Sequence, residues 1–422
     1  MKKRIILISI GIIAVITAIS ALLFFDPFRE IFDKIFQKQE NNGEVSENYQ
    51  RKWYGWDQGE ELDRIQAILN RYFDCFYSPA AKESSAENIE ELFADSCADC
   101  IYDMAALKSV LYRQENSSLD YGVRLSTLHL WLINTVEINK NGYIIMVDQS
   151  SERNYGNIPD YLCGEGVYSH TFIFERTGGK WYITAHSCEK GAWRYGKNKM
   201  NSLCGSESPS YLQLYNCYPY FCSALEENFE KTKELIALNN YPTPYTADTV
   251  YNRQKAVEYA QRWCSPVTES RNINRWKDYD DDSMNFVSQC IFEGIGKMDT
   301  KGDLIWKWFD DKIEYYYEDS GRSMSWIEGE NFWYYVTSNQ RRGLSAMTDV
   351  GGGQLEQGDI VQLMLREQPF SQVIITEVLY DDKGNKADFL VCGHDDELLN
   401  FPLSMLNYDS IRPIRILGYN ED

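Results

Sequence analysis

The chain has 422 residues, 44% of them hydrophobic and 25% charged, an ordinary globular composition with room for two or three domains. Its formal net charge of −21 argues against a protein that grips nucleic acid, because neutralising phosphates takes clustered Lys and Arg. Aromatic residues reach 14%, a surplus that builds cores and also lines surfaces for peptides or sugars.

The N-terminus reads as an address. "MKKR" precedes an uncharged run from Ile5 to Phe25, long enough as a helix to cross roughly 30 Å of hydrocarbon. Lys2, Lys3 and Arg4 would stay cytoplasmic. The expectation is a signal anchor over residues 1–25, single-pass in the cell membrane, with the bulk of the chain extracellular. A cleaved signal peptide is the alternative, although its apolar core is usually shorter, about 7–15 residues. Residues 26–50 are polar and read as a mobile tether.

Eleven cysteines outside a membrane permit disulfides, and the odd number leaves at least one thiol free. Cys97 and Cys100 form a lone C-x-x-C. With only His129, His170, His186 and His394 in the chain, a zinc site lacks ligands, so a local disulfide or simple packing is expected. Neither metal nor cofactor is expected. The pairing of Cys163, Cys188, Cys204, Cys217 and Cys222 is not set by the sequence.

Residues 51–195 open with an amphipathic helix, "GEELDRIQAILNRYFDCFYS", whose apolar side is Leu62, Ile65, Ile68, Leu69, Tyr72 and Phe73. A second helical stretch, "IYDMAALKSVLYRQ", follows. The period then changes to that of strands. "NKNG" at 139–142 and "TGGK" at 177–180 predict hairpin turns. Helices followed by a strand meander resemble the curved-sheet α+β domains of the SnoaL-like and nuclear-transport-factor-like families, with a cystatin-like sheet. His170 and His186 fall in two arms of one hairpin; a structural role is expected, a metal or acid–base role being the alternative. Residues 196–245 read as a connector with one helix, "SALEENFEKTKELIAL", and a proline-bearing break.

Residues 246–422 form the last unit. "YNRQKAVEYAQRWC" predicts a helix with Ala256, Val257, Ala260 and Trp263 inward. In "DYDDDSMNFVSQCIFEGIG", residues 278–296, Met284, Val287, Ile291 and Ile295 recur at helical spacing and Ser283 stands in the first turn. Backbone N–H groups point outward there, a place that suits an anion or an activated nucleophile. The aromatic segment "SMSWIEGENFWYYV" follows, then the strands "GDIVQLML", "SQVIITEVLYD", "ADFLVCGH" and "PIRILGY".

These words in this order resemble the putative amidase domain family of extracellular bacterial proteins, over roughly residues 251–418. The family's opening helix is matched at Tyr251, Asn252, Arg253, Ala256, Val257, Tyr259 and Ala260. Its D-C-T-N-F-V-S-Q-C stretch is matched at Asp282, Asn285, Phe286, Val287, Ser288, Gln289 and Cys290, and its later strand at Gly358, Asp359 and Ile360. The resemblance implies a papain-like α+β fold with a cysteine nucleophile, a histidine base and a second, orienting histidine. Ser283 stands where the cysteine belongs and Ser371 where the first histidine belongs; His394 keeps the third place.

A serine hydroxyl needs a base to take its proton. Ser371 offers none, and Asp280, Asp281 and Asp282 crowd negative charge where an oxyanion would develop. Cys290 is about 10.5 Å further along the helix axis at 1.5 Å per residue. The expectation is therefore a degenerate amidase-like domain in which Ser283 caps a helix. Asp282, Asn285, Gln289, Trp326 and Trp333 would line the old groove and hold cell-wall peptide, glycan or an extracellular protein. An active amidase using Ser283 with His394, and a structural module with no ligand groove, are the competing readings. The run Gly351–Gly353 reads as a flexible connection, and Asp395 and Asp396 as turn residues.

Overall fold

The computed structural model describes residues 41–46, 48–78, 85–238, 247–268, 270–339, 342–348 and 350–421. Strand β1 (Asn41–Ser46) pairs antiparallel with β2 (Tyr49–Tyr54), so the end of the segment expected as a tether is a strand. Tyr49, Arg51 and Trp53 alternate inward along β2, which leaves its backbone free to pair on both sides.

Helix α1 (Glu60–Tyr77) buries Ile65, Leu69, Tyr72, Phe73 and Phe76, as the spacing of three and four predicts. The short α2 (Ser85–Glu90) and the longer α3 (Ala98–Asn116) follow. The meander then runs β3 (Val123–Asn139), β4 (Gly142–Tyr155), β5 (Cys163–Thr177) and β6 (Lys180–Ser187), antiparallel throughout. At the first turn, Asn139 Oδ1 accepts from the Asn141 amide at 2.8 Å. At the second, Gly178 and Gly179 both take positive φ, as a two-residue turn matched to strand twist requires. Along β5, Tyr168, His170, Phe172 and Phe174 alternate inward over the α1 side chains.

The expected connector is instead part of the core. It holds the greater part of α4 (Gly191–Cys204), which begins in the preceding unit, and all of α5 (Tyr211–Ala237), the latter opened by a reciprocal cap between Ser210 and Gln213. Leu214, Phe221 and Leu225 of α5 pack with Ile101 and Ala105 of α3 and Met200 of α4. The glycine run at 351–353 is likewise packed rather than flexible. An added Cβ on Gly351 would stand 2.1 Å from the Leu238 carbonyl oxygen.

The last unit contains β7 (Thr249–Val250), α6 (Arg253–Arg262), α7 (Ser283–Ile295), α8 (Met324–Ile327) and α9 (Gly329–Ser338). Its remaining strands are β8 (Gly343–Met347), β9 (Ile360–Leu365), β10 (Gln368–Tyr380), β11 (Lys386–Gly393), β12 (Leu398–Pro402) and β13 (Ser410–Asn420). Helix α7 is buried nearly all round: Ser283, Asn285, Ser288 and Gln289 are as covered as Phe286 and Val287. Its polar side chains must therefore find partners inside the protein.

The expected fold class is corrected in its sheet arrangement. Strands of both units lie on one 13-stranded path, β1-β2-β3-β4-β5-β12-β11-β10-β9-β13-β7, with β6 on β5 and β8 on β13. The architecture is mixed α+β with one large sheet, not a SnoaL/cystatin-like sheet followed by a separate papain-like one. The join is the pairing of Leu399 with Gly164, where a side chain in place of the glycine would strike Pro266. Arg113 of α3, fully buried, ties the same junction by donating to the Tyr408 carbonyl at 2.7 Å and the Ser404 carbonyl at 3.4 Å. Among the described residues, no helix is long and apolar enough to cross a membrane; the anchor expected at residues 5–25 lies outside them.

Candidate functional site

Helix α7 begins at Ser283 and stops at Gly296, whose φ of 76° ends the turn. Ser283 has no exposed surface. Its hydroxyl donates to Gln372 Oε1 at 2.9 Å, with Asp281 Oδ1 at 3.4 Å. It is thus spent on a side chain of β10 rather than on capping the helix. Gln372 pairs across the ladder with Gln362, whose Nε2 donates to the Gly329 carbonyl at 2.8 Å. A Cβ on Gly329 would stand 2.4 Å from Gln372 Nε2, so the start of α9 closes directly over the two amides.

Ser371, expected at the base position, is the wrong neighbour. Successive side chains of a strand point to opposite faces, and it is Gln372 that reaches the tip of α7. A shift of the motif by one residue along "SQVIIT" would have found it. An amide carbonyl accepts a hydrogen bond but takes no proton at neutral pH. The position that a general base needs is filled by a group that cannot act as one.

His394 sits at the end of β11 and is held on both nitrogens. Nδ1 lies 2.5 Å from Asp282 Oδ2 and Nε2 lies 2.8 Å from the Trp263 carbonyl oxygen, while the ring stacks on Phe286 at 3.7 Å. Both flanking atoms are acceptors, so the imidazolium satisfies both. Burial works against that charge and carries the pKa below the ordinary histidine value, with the Asp282 contact opposing. The contacts of both nitrogens are with other residues, and the Ser283 hydroxyl turns to Gln372 instead.

The other expected groove residues form the scaffold under this site. Asp282 Oδ1 accepts from Asn285 Nδ2 at 2.7 Å. Asn285 also donates to the Lys277 carbonyl and accepts from Trp326 Nε1. Gln289 accepts from the Tyr259 hydroxyl at 2.7 Å, and Trp326 is stacked on Trp306 in the core. Trp333 is half-buried beneath the Arg412 guanidinium. These side chains are occupied with one another.

The first unit covers the turn that follows His394. Gly166 N donates to the Asp396 carbonyl, Gly191 N to Asp396 Oδ1 at 3.1 Å, and Arg194 pairs with Asp396 Oδ2 at 3.2 Å. Asp396, expected as a plain turn residue, is an inter-unit anchor. Asp395 is buried beside it, and that burial with the nearby Asp281 carboxylate pushes its pKa up to about 6.

A second polar group lies inside the first unit and was only half visible in the sequence. His170 Nδ1 and His186 Nε2 are 3.0 Å apart, and His186 Nδ1 is 2.8 Å from Asp103 Oδ2. The Tyr72 hydroxyl donates to the same carboxylate. Asp103 was not among the expected partners, although an acid on the buried side of "IYDMAALKSVLYRQ" marks it. Burial drives the His170 pKa well below its ordinary value, and His186 adds to that. Among the described residues, no group of three or more His, Cys, Asp or Glu could hold a metal ion. A cavity of about 300 Å³ lies elsewhere, lined by Leu111, Gln114, Asp120, Tyr121, Tyr155 and Met405.

A helix whose tip carries a hydroxyl, a facing strand and the nearby His394 stand where the resemblance to the amidase family expects them. In agreement, residues 250–417 match the family described as "Putative amidase domain". The C-terminal part of the chain is thus an amidase-like module. No curated protein matches the chain. Among solved structures, one titled a hexachlorocyclohexane dehydrochlorinase (LinA), type 2, is similar at 10% identity. That likeness covers 31% of this chain and 86% of that one at a TM-score of 0.22, too low to carry an argument.

Proposed function

We propose that the amidase-like domain does not hydrolyse amides and acts instead by holding a partner. The observation that carries this reading is the Ser283 hydroxyl donated to the Gln372 carbonyl, with both His394 nitrogens engaged elsewhere. Cleavage needs a group that removes the nucleophile's proton, and neither side chain supplies it. The competing enzyme reading requires Ser283 and His394 within about 2.6–3.2 Å of each other. Their contacts instead run to Gln372 and to Asp282.

Holding a partner falls to the surface beside the closed cleft. Phe309, Ile313, Tyr315, Tyr316 and Tyr317 are exposed, Tyr316 by 92%. This segment is fastened to the approach to α7: Tyr279 donates to Asp311 at 2.7 Å and accepts from Trp308 Nε1 at 3.1 Å. Exposed aromatic faces suit the faces of sugars and apolar peptide side chains. In this reading the partner is a cell-wall peptide or glycan, or an extracellular protein.

The test is to incubate the purified full chain with peptidoglycan and measure both its sedimentation with the wall and the soluble fragments released. Binding without release supports the reading, as does weakened binding in Tyr316→Ala and Tyr317→Ala. Release that disappears in Ser283→Ala overturns it.

A further inference from the structure

Three buried cysteines meet beneath the Ser283 site: Cys264 just past α6, Cys290 in α7 and Cys392 in β11. Cys392 stands close enough to Cys264 to add to what burial does in raising the Cys264 thiol's pKa. Each sulfur also has a backbone neighbour on the sheet. Cys264 Sγ lies 3.9 Å from the Gly393 carbonyl oxygen, and Cys392 Sγ accepts from the Asn400 amide at 3.5 Å. The two elements are joined on the other side as well, because His394 reaches the Trp263 carbonyl immediately before Cys264.

We propose that Cys264 and Cys392 form a disulfide under oxidising conditions, a covalent staple between α6 and β11 beside His394. Cys264 Sγ already lies against the residue that follows Cys392, and both side chains share one buried cluster, the proximity that a disulfide requires. The oxidant is a low-molecular-weight disulfide. The thiolate of Cys264 attacks one of its sulfurs and expels one thiol, leaving a mixed disulfide. The thiolate of Cys392 then attacks the Cys264 sulfur and expels the second thiol. The two protons lost by the cysteine thiols end on the two expelled sulfurs, and the two electrons reduce the added disulfide, so two S–H groups and one small disulfide become one protein disulfide and two small thiols.

Burial pushes the Cys264 thiol well above its ordinary pKa, so thiolate is scarce in the folded chain. The bond therefore closes while the chain folds, before the core seals, and is afterwards shielded from reductants. It spans more than a hundred residues of sequence, the range in which a cross-link restricts the unfolded chain most. Cys290 belongs to the same core and is the alternative partner.

The experiment refolds the full chain in a buffer of reduced and oxidised glutathione, blocks remaining thiols with iodoacetamide, digests without reductant and weighs the peptides. The expected product is the Cys264 peptide joined to the Cys392 peptide, two hydrogens lighter than their sum. A chain refolded in dithiothreitol instead should melt about 5–15 °C lower than the oxidised one, a difference that is lost in Cys264→Ser/Cys392→Ser. Alkylation of both cysteines, or a Cys264 peptide joined to Cys290, overturns the proposal. The peptide map uses the wild-type chain alone, so it decides the matter even if the double variant does not fold.

Discussion

Asp282 Oδ2 and His394 Nδ1 lie 2.5 Å apart, both fully enclosed, at the point where the loop before α7 meets the end of β11. The pair ties neighbouring elements together: Asp282 also holds Asn285, and His394 also holds the end of α6. Removing one member leaves the other buried without its partner. Asp282→Ala should therefore lose about 3–5 kcal/mol of stability in urea unfolding. A loss below about 1 kcal/mol would show that the pair does not support the site.

Asp395 titrates in the opposite sense from a salt-bridged acid. Its folded pKa, about 6, is above the ordinary carboxylate value because burial and Asp281 penalise its charge. A raised folded pKa means stability is lost as pH rises from about 4 to 6, once the unfolded chain releases the proton first. Asp395→Asn should stabilise the protein at pH 8 by on the order of 1 kcal/mol and change little at pH 4. Chemical melts at the two pH values check this; destabilisation at pH 8 would contradict it.

The two hairpins, the α1 face and the start and end of α7 were readable because each depends on local rules. Turn glycines, apolar spacing and a left-handed stop at Gly296 act within a few residues. What escaped depends on distant contacts. Gln372 was missed for Ser371 because one step along a strand exchanges its faces, and only the position of α7 says which face matters. Asp103 meets His186 from 83 positions away. The pairing of Gly164 with Leu399, which merges the two expected sheets, joins residues of different units. Segments polar enough to read as a tether became β1 because β2 offered an unpaired backbone.

His170, buried against His186, should make the first unit sensitive to acid. Burial holds His170 neutral, with its pKa well below the ordinary value near 6.5. A depressed histidine contributes stability that is fully present above about pH 6.5 and is lost as pH falls toward the folded value, because the unfolded chain takes the proton first. From this residue alone, stability should fall by up to about 1.4 kcal/mol per pH unit below pH 6.5. His170→Phe should flatten that slope. At pH 7.5 it should cost about 1–3 kcal/mol, since His186 Nε2 loses its partner. An unchanged slope would show that another group is responsible.

The most direct test follows amide-bond cleavage of wall peptides by the wild type, Ser283→Ala and Ser283→Cys/Gln372→His under identical conditions. Wild type and Ser283→Ala should be indistinguishable from the buffer blank. The double variant puts a thiol at the tip of α7 and an imidazole opposite it but leaves the start of α9 over both, so it too should stay at the blank. Cleavage by the wild type that vanishes in Ser283→Ala would contradict the account, because the hydroxyl would then have found a base that this geometry denies it.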